Sequence, residues 1–177
     1  WLDVARYADT NGYERDAEKP GSWRYRDWVI GALNADLPYD RFILEQLAGD
    51  EIEGATDDTR VATGFLRIGT FDDEPNDPLQ YKFEQLDDLV HATATSFMAL
   101  TVRCARCHDH KFDAIPQTDY YAFLGFFSGG GAGEGDLLSF TEKQREPAPV
   151  KLLTAGDPRR EADVVPVGFL TMVSAAG

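Results

Sequence analysis

The 177-residue chain is poor in cysteine, histidine and methionine, with two, three and two copies. Two cysteines cannot staple a small fold, which excludes a disulfide scaffold. Histidines at 91, 108 and 110 leave no second ligand pair, although structural zinc usually takes four side chains, often as two separated pairs. No apolar run approaches the eighteen or so residues of a membrane span. Basic residues are scarce too. Seventeen Lys and Arg face 31 Asp and Glu, a net charge of −14. Nucleic acid and anionic membrane surfaces would repel such a chain, so no nucleic-acid partner and no membrane insertion are expected. Basic proteins or cationic ligands suit it better, and an acidic surface also serves solubility alone. The chain opens on Trp1 rather than Met and shows no leader. Trp1 to Tyr7 reads like the middle of a helix, so a piece of a longer polypeptide is expected.

What is present gathers at one place. The two cysteines stand together in Cys104-Ala105-Arg106-Cys107-His108, continued by Asp109-His110-Lys111-Phe112-Asp113. This C-x-x-C-H pattern is the attachment signature of a c-type haem. On a helix, positions i, i+3 and i+4 share one face. Two thiols then reach both vinyl groups of one porphyrin while the imidazole meets the iron. Three plainer readings compete: a redox dithiol, a zinc clip completed by His108, and a chance match. The dithiol wants a strand-to-helix setting, whereas a helical repeat precedes Cys104. Covalent haem is the preferred reading.

Apolar spacing predicts a mainly α protein. Leu2, Val4, Ala5 and Ala8 suggest a helix end, and Asn11-Gly12 and Pro20-Gly21 mark turns. Ser22 is a candidate cap for a helix from Trp23 to about Asp36, with Trp23, Trp28, Val29, Leu33 and Leu37 inside. The tryptophans read first as core, and second as neighbours of a porphyrin edge. Asp40 caps a short helix from Arg41 to Ala48, with Phe42, Ile43, Leu44 and Leu47 inward and Gly49 as its stop. Another helix begins at Asp57 or Asp58. The acidic loop through Asp72, Asp73, Glu74 and Asp77 is a candidate calcium site, although charged loops are usually just solvated.

Leu79 to Thr101 carries Phe83, Leu86, Val90, Thr93, Phe97 and Leu100 at helical spacing and leads straight into the cysteines. Thr118 can cap an aromatic helix through Phe127, either core or one wall of a haem pocket. Ser128 to Gly135 reads as a glycine-rich linker or tight loop. Pro147 to Leu153 and Val164 to Val173 are candidate strands of a small ribbon. The expected layout is a helical haem-binding domain over 1–127, a glycine-rich loop over 128–135, and an extended tail over 136–177 leading toward a following domain.

Cys104 and Cys107 are the expected thioether anchors and His108 the proximal iron ligand. Its second ring nitrogen should donate to a carbonyl or carboxylate, with the backbone around Ile115 and Pro116, or Asp113, as candidates. His110 lies about 200° around from His108 if the helix continues, so a structural role is expected for it. His91 and Met98 are candidate sixth ligands, with Met172 behind them. Met98 can serve only if the chain turns before Cys104.

Several stretches resemble a known family. Trp1 to Tyr13 is the first, followed by Tyr25-Arg26-Asp27-Trp28-Val29-Ile30, Glu45 to Asp50, Ala62-Thr63-Gly64-Phe65, and Cys104 to Asp113. Together they are similar to the second cytochrome-like domain of the large planctomycete-type cytochrome c proteins. The resemblance implies a helical, cytochrome c-like fold in an exported or periplasmic multidomain protein that bears haem c. Gly156 to Arg160 resembles the joint to the C-terminal domain that follows in such proteins. Many relatives have histidine where this chain has Leu66, so any axial role at that position must be filled otherwise here. The function expected is electron transfer, with a redox protein or neighbouring domains of the same chain as partners. Two alternatives stand beside it: a cofactor-free interaction or carbohydrate-associated module, and a peroxidase- or oxidase-like haem enzyme with an open iron position.

Overall fold

Helix carries most of the regular structure, as the apolar periodicity predicts, in a computed structural model that describes residues 1–133, 138–143 and 148–174. The chain divides into two compact units, Trp1–Glu74 with Gly130–Glu142, and Pro75–Gly129 with Lys143–Gly177.

The first unit holds α1 (Ser22–Asn34), α2 (Tyr39–Ala48) and α3 (Asp57–Ala62), which runs into a 3-10 turn over Thr63–Leu66. Its core buries Ala5, Tyr25, Val29, Phe42, Phe65 and Ile68. A polar network runs through that core. Trp1 Nε1 donates to Tyr25 Oη at 3.0 Å and Gln46 Oε1 at 3.1 Å, and Tyr25 Oη donates to Gln46 Oε1 at 2.7 Å. The Gln46 amide then donates to the Phe42 carbonyl at 3.0 Å, so no polar atom of the network is left idle. Trp28 stacks on Phe42 with ring centroids 5.3 Å apart, which fits the core reading. Trp23 does not: it is 50% exposed and Leu33 62%. Trp1 to Tyr7 forms turns rather than a helix end, with Val4 exposed.

The expected caps shift by one or two residues. Gly21, left-handed at φ 83°, precedes α1, and Ser22 is its first residue rather than its cap. Pro38 precedes α2, so Asp40 lies inside the first turn, and Leu44 is exposed. Thr56 caps α3 in a reciprocal box with Thr59. Gly49 has ordinary right-handed dihedrals, so its role is contact rather than a left-handed stop. A Cβ there would lie 2.0 Å from the Thr59 carbonyl oxygen. The glycine-rich segment supplies a strand. β1 (Gly130–Ala132) pairs antiparallel with β2 (Phe140–Glu142), and the Phe140 amide donates to Thr63 Oγ1 at 2.8 Å. The part of that segment at 134–135 lies outside the described residues.

The second unit begins with α4 (Pro78–Met98), capped by Asp77, whose carboxylate accepts from the Gln80 amide at 3.1 Å. The helix does not run into the cysteines. It closes at Ala99, left-handed at φ 55°. α5 (Gln117–Ser128) follows Pro116, so Thr118 is not its cap. α5 buries Tyr120, Tyr121, Phe123, Leu124 and Phe127, each worth roughly 1.5–3 kcal/mol on removal from water. β3 (Val150–Leu153) and β4 (Glu161–Val165) form the expected antiparallel ribbon, with an irregular register between Lys151 and Leu153. Residue 147 lies outside the described residues, and Val164 to Val173 is a strand only as far as Val165. Beyond it, α6 (Thr171–Ser174) is anchored by Asp119, whose Oδ2 accepts from the amide and hydroxyl of Thr171, both at 2.6 Å. No helix among the described residues is long and apolar enough to cross a membrane.

Candidate functional site

The Cys-x-x-Cys-His stretch sits in the second unit, on a 3-10 turn over Arg103–Arg106 rather than on a continuing helix. The turn ties the three backbones together. The amides of Cys107 and His108 both donate to the Cys104 carbonyl, at 3.2 and 3.4 Å. Ala105 is fully buried and anchors the turn, while Cys104, Cys107 and His108 are exposed. Both cysteines are free thiols.

His108 Nδ1 lies 2.7 Å from the Asp109 carbonyl oxygen. An oxygen acceptor there requires a proton on Nδ1, which leaves the Nε2 lone pair as the donor to a metal. This fulfils the expected second-nitrogen bond, but with Asp109 as partner rather than the 115–116 backbone or Asp113. Ile115 instead accepts from the His110 amide at 2.9 Å. Asp113 belongs to His110, whose Nδ1 accepts the Asp113 amide at 3.0 Å and lies 3.2 Å from its carboxylate. His110 is a loop-shaping residue with a buried side chain. Its expected placement on the far face of a helix fails because the helix ends.

Other elements clasp the turn. Asp87 of α4, 6% exposed, lies 3.0 Å from Arg103 Nε and 3.9 Å from Arg106 Nη1, and accepts from the Tyr120 hydroxyl at 2.6 Å. The Arg106 carbonyl accepts from Gln117 Nε2 at 2.9 Å and from the Tyr121 hydroxyl at 3.0 Å. Burial pushes the Tyr121 phenol up to about 12, against the Arg106 guanidinium that pulls it down. Burial and the Asp87 carboxylate push the Tyr120 phenol far above its ordinary value. Asp109 Oδ1 takes the amide of Gln117 at 2.8 Å, tying the motif to the start of α5.

The tail also contributes, rather than only leading away. Arg106 Nη2 donates to the Gly156 carbonyl at 3.4 Å, and Gly156 has φ +71°. A Cβ at Gly156 would stand 2.7 Å from Cys107 Sγ, so glycine alone leaves that sulfur its place. Arg159 pairs with Asp77, which lowers the Asp77 carboxyl below its ordinary value together with the Gln80 amide bond.

Among the described residues no three His, Cys, Asp or Glu side chains gather to hold a metal ion. In the candidate calcium loop, Asp73 and Glu74 pair with Arg15, Asp72 accepts the Glu74 amide at 3.0 Å, and Asp77 caps α4. Of the candidate sixth ligands, His91 is half-buried on α4 with Nδ1 3.5 Å from Thr95 Oγ1. Met98 is half-buried as the last residue of α4, one before the left-handed Ala99. Met172 is half-buried on α6, and Leu66 is buried in the first unit.

The family model PSCyt2, described as a protein of unknown function (DUF1549), matches residues 1–130. The chain belongs to this family. PSCyt2 is a planctomycete-type cytochrome-associated domain, so the family resemblance read from the sequence holds at that level. No curated protein and no solved structure matches the chain. The PSCyt2 match covers the cysteine turn, α4 and α5, and stops short of the ribbon that carries Gly156. Asp87 and Gln117 were not singled out from sequence, the helix of Tyr121 was read only as core or pocket wall, and Gly156 only as the start of a joint. A carboxylate between Leu86 and Val90 on an apolar helix face was the one signal available.

Proposed function

We propose that the chain is a c-type haem-binding redox domain that passes electrons within a larger exported protein. One observation carries the reading: within five residues the chain exposes two free thiols and an imidazole whose Nδ1 is bonded to Asp109, with Nε2 left to donate. This donor set fits a covalently held haem. Cys104 and Cys107 would hold such a haem through thioether bonds, each thiol adding across a vinyl group with its proton passing to the other vinyl carbon. His108, oriented by Asp109, would supply a nitrogen ligand to the iron. A bound haem supplies one-electron chemistry at its iron. Asp87, Gln117 and Tyr121 hold the turn so that sulfur and nitrogen positions are set before the group arrives. Partnership with neighbouring domains of the same chain, and attachment outside the cytoplasmic membrane, follow from this reading.

The test is expression of the chain with an export signal and the haem-attachment machinery, followed by denaturation in alkaline pyridine. A c-type haemochrome that disappears in the Cys104→Ala/Cys107→Ala variant is expected. A folded, colourless product would sink the proposal. Carbon monoxide then separates the two haem functions. An unaltered reduced spectrum means that protein fills both positions the porphyrin leaves on the iron and favours electron transfer, whereas a rapid carbon monoxide complex means an open iron and a haem enzyme.

A further inference from the structure

Asp87 is the buried carboxylate that pairs with the arginines of the cysteine turn, and general packing does not account for it. A carboxylate that is 6% exposed must be compensated by partners, and its partners here are specific. The Tyr120 hydroxyl donates to one oxygen at 2.6 Å. The other oxygen lies 3.0 Å from Arg103 Nε and 3.9 Å from Arg106 Nη1. Those arginines immediately precede Cys104 and Cys107. Cys104 is therefore adjacent in the chain to a residue held on that carboxylate, and Cys107 to one at its longer reach. Arg103 is itself 53% exposed, with only a long contact to Asp88 at 3.9 Å, so Asp87 is its main anchor.

We propose that Asp87 is a positioning residue for the Cys-x-x-Cys-His turn, acting through Arg103 and Arg106 to hold the two thiols and His108 in one geometry. Tyr120 fixes the carboxylate, the carboxylate fixes the arginines, and the arginines fix the turn. A 3-10 turn of four residues has little stability of its own, because its hydrogen bonds are few and poorly aligned. Removing one partner of a buried charge pair is the damaging change, since it strands the other charge. The inference rests on the haem reading only where haem is measured. The geometry of the turn can be tested without any cofactor.

The experiment compares wild type with Asp87→Asn, Asp87→Glu and Arg103→Gln in the full chain. In cofactor-free protein, hydrogen exchange at the Ala105 and Cys107 amides, which close the turn, reads its rigidity. Asp87→Asn should speed exchange there by tenfold or more while leaving the amides of α5 within about twofold. Asp87→Glu should restore part of the protection. If Asp87→Asn fails to fold, Arg103→Gln reads the turn in its place, because Asp87 then keeps its Tyr120 and Arg106 partners. Where both single variants fold, the Asp87→Asn/Arg103→Gln double variant should lose less than the sum of the two. In haem-loaded protein, Asp87→Asn and Arg103→Gln should both lower the fraction of chains with haem attached at both sulfurs, because each loosens the same turn. A purely electrostatic role would shift the reduction potential in opposite directions and leave attachment unchanged. Unchanged turn amides in both Asp87→Asn and Arg103→Gln would overturn the proposal. A uniform loss of protection across α4, α5 and the turn without rescue by Glu would do the same. If wild type takes up no haem, the functional reading fails while the exchange result still decides this one.

Discussion

Gly49 is held between two carbonyl oxygens. An added Cβ would meet the Thr59 oxygen at 2.0 Å and the Glu45 oxygen at 2.3 Å, and neither is a flexible side-chain end. Gly49→Ala should therefore cost about 1–3 kcal/mol or more, read as a lower urea midpoint with an unchanged slope. Tyr25→Phe removes the hydroxyl that Trp1 and Gln46 share, and about 1–2 kcal/mol of loss is expected by the same measurement. Alkali tests the second unit. The Tyr121 phenol is raised by burial to about 12 from the ordinary 10.0, so the folded form keeps its proton longer than the unfolded chain. Stability from this group is complete below pH 10 and is lost as pH rises toward 12. A pH titration of thermal unfolding should show a fall in that window that is reduced in Tyr121→Phe. The cysteine signature was legible in sequence because its chemistry depends on spacing within five residues. Asp87 and Gly156 were not, since their meaning depends on partners brought near by the fold.

Among the elements, helix α3 shows how far local chemistry reaches. Thr56 and Thr59 cap one another's backbone, and Thr56→Ala should destabilise by about 1 kcal/mol in chemical unfolding. The existence of α1 to α5 was readable from apolar period, yet the expected caps of α1, α2 and α5 were misplaced by one or two residues. Pro38, Gly21 and Pro116 take positions where a polar side chain was expected. The long helix was read through to the cysteines because period alone does not mark a left-handed residue such as Ala99. The glycine-rich stretch was read as a linker because strand pairing with Phe140 is non-local. At the ribbon, Gly156→Ala should act on one sulfur alone. Its side chain would press on Cys107 Sγ in a strained backbone, so iodoacetamide should label Cys107 several-fold more slowly relative to Cys104. Peptide mass spectrometry resolves the two. Equal slowing of both thiols would contradict the geometry.

On the scale of the whole chain, neither unit is a continuous piece of sequence. The first borrows Gly130–Glu142 and the second borrows Lys143–Gly177. A chain ending at Gly130, the end of the family match, should accordingly lack β2 from one unit and the ribbon from the other. Its unfolding should lose cooperativity and its midpoint should fall well below that of the full chain. This interleaving also orders events during synthesis. Gly156 lies 50 residues downstream of Arg106. At roughly 5–20 residues per second, the ribosome delivers it roughly 2.5–10 s later. Until then no ribbon stands behind Cys107, and the nascent chain offers both thiols without the close backbone that later confines one of them.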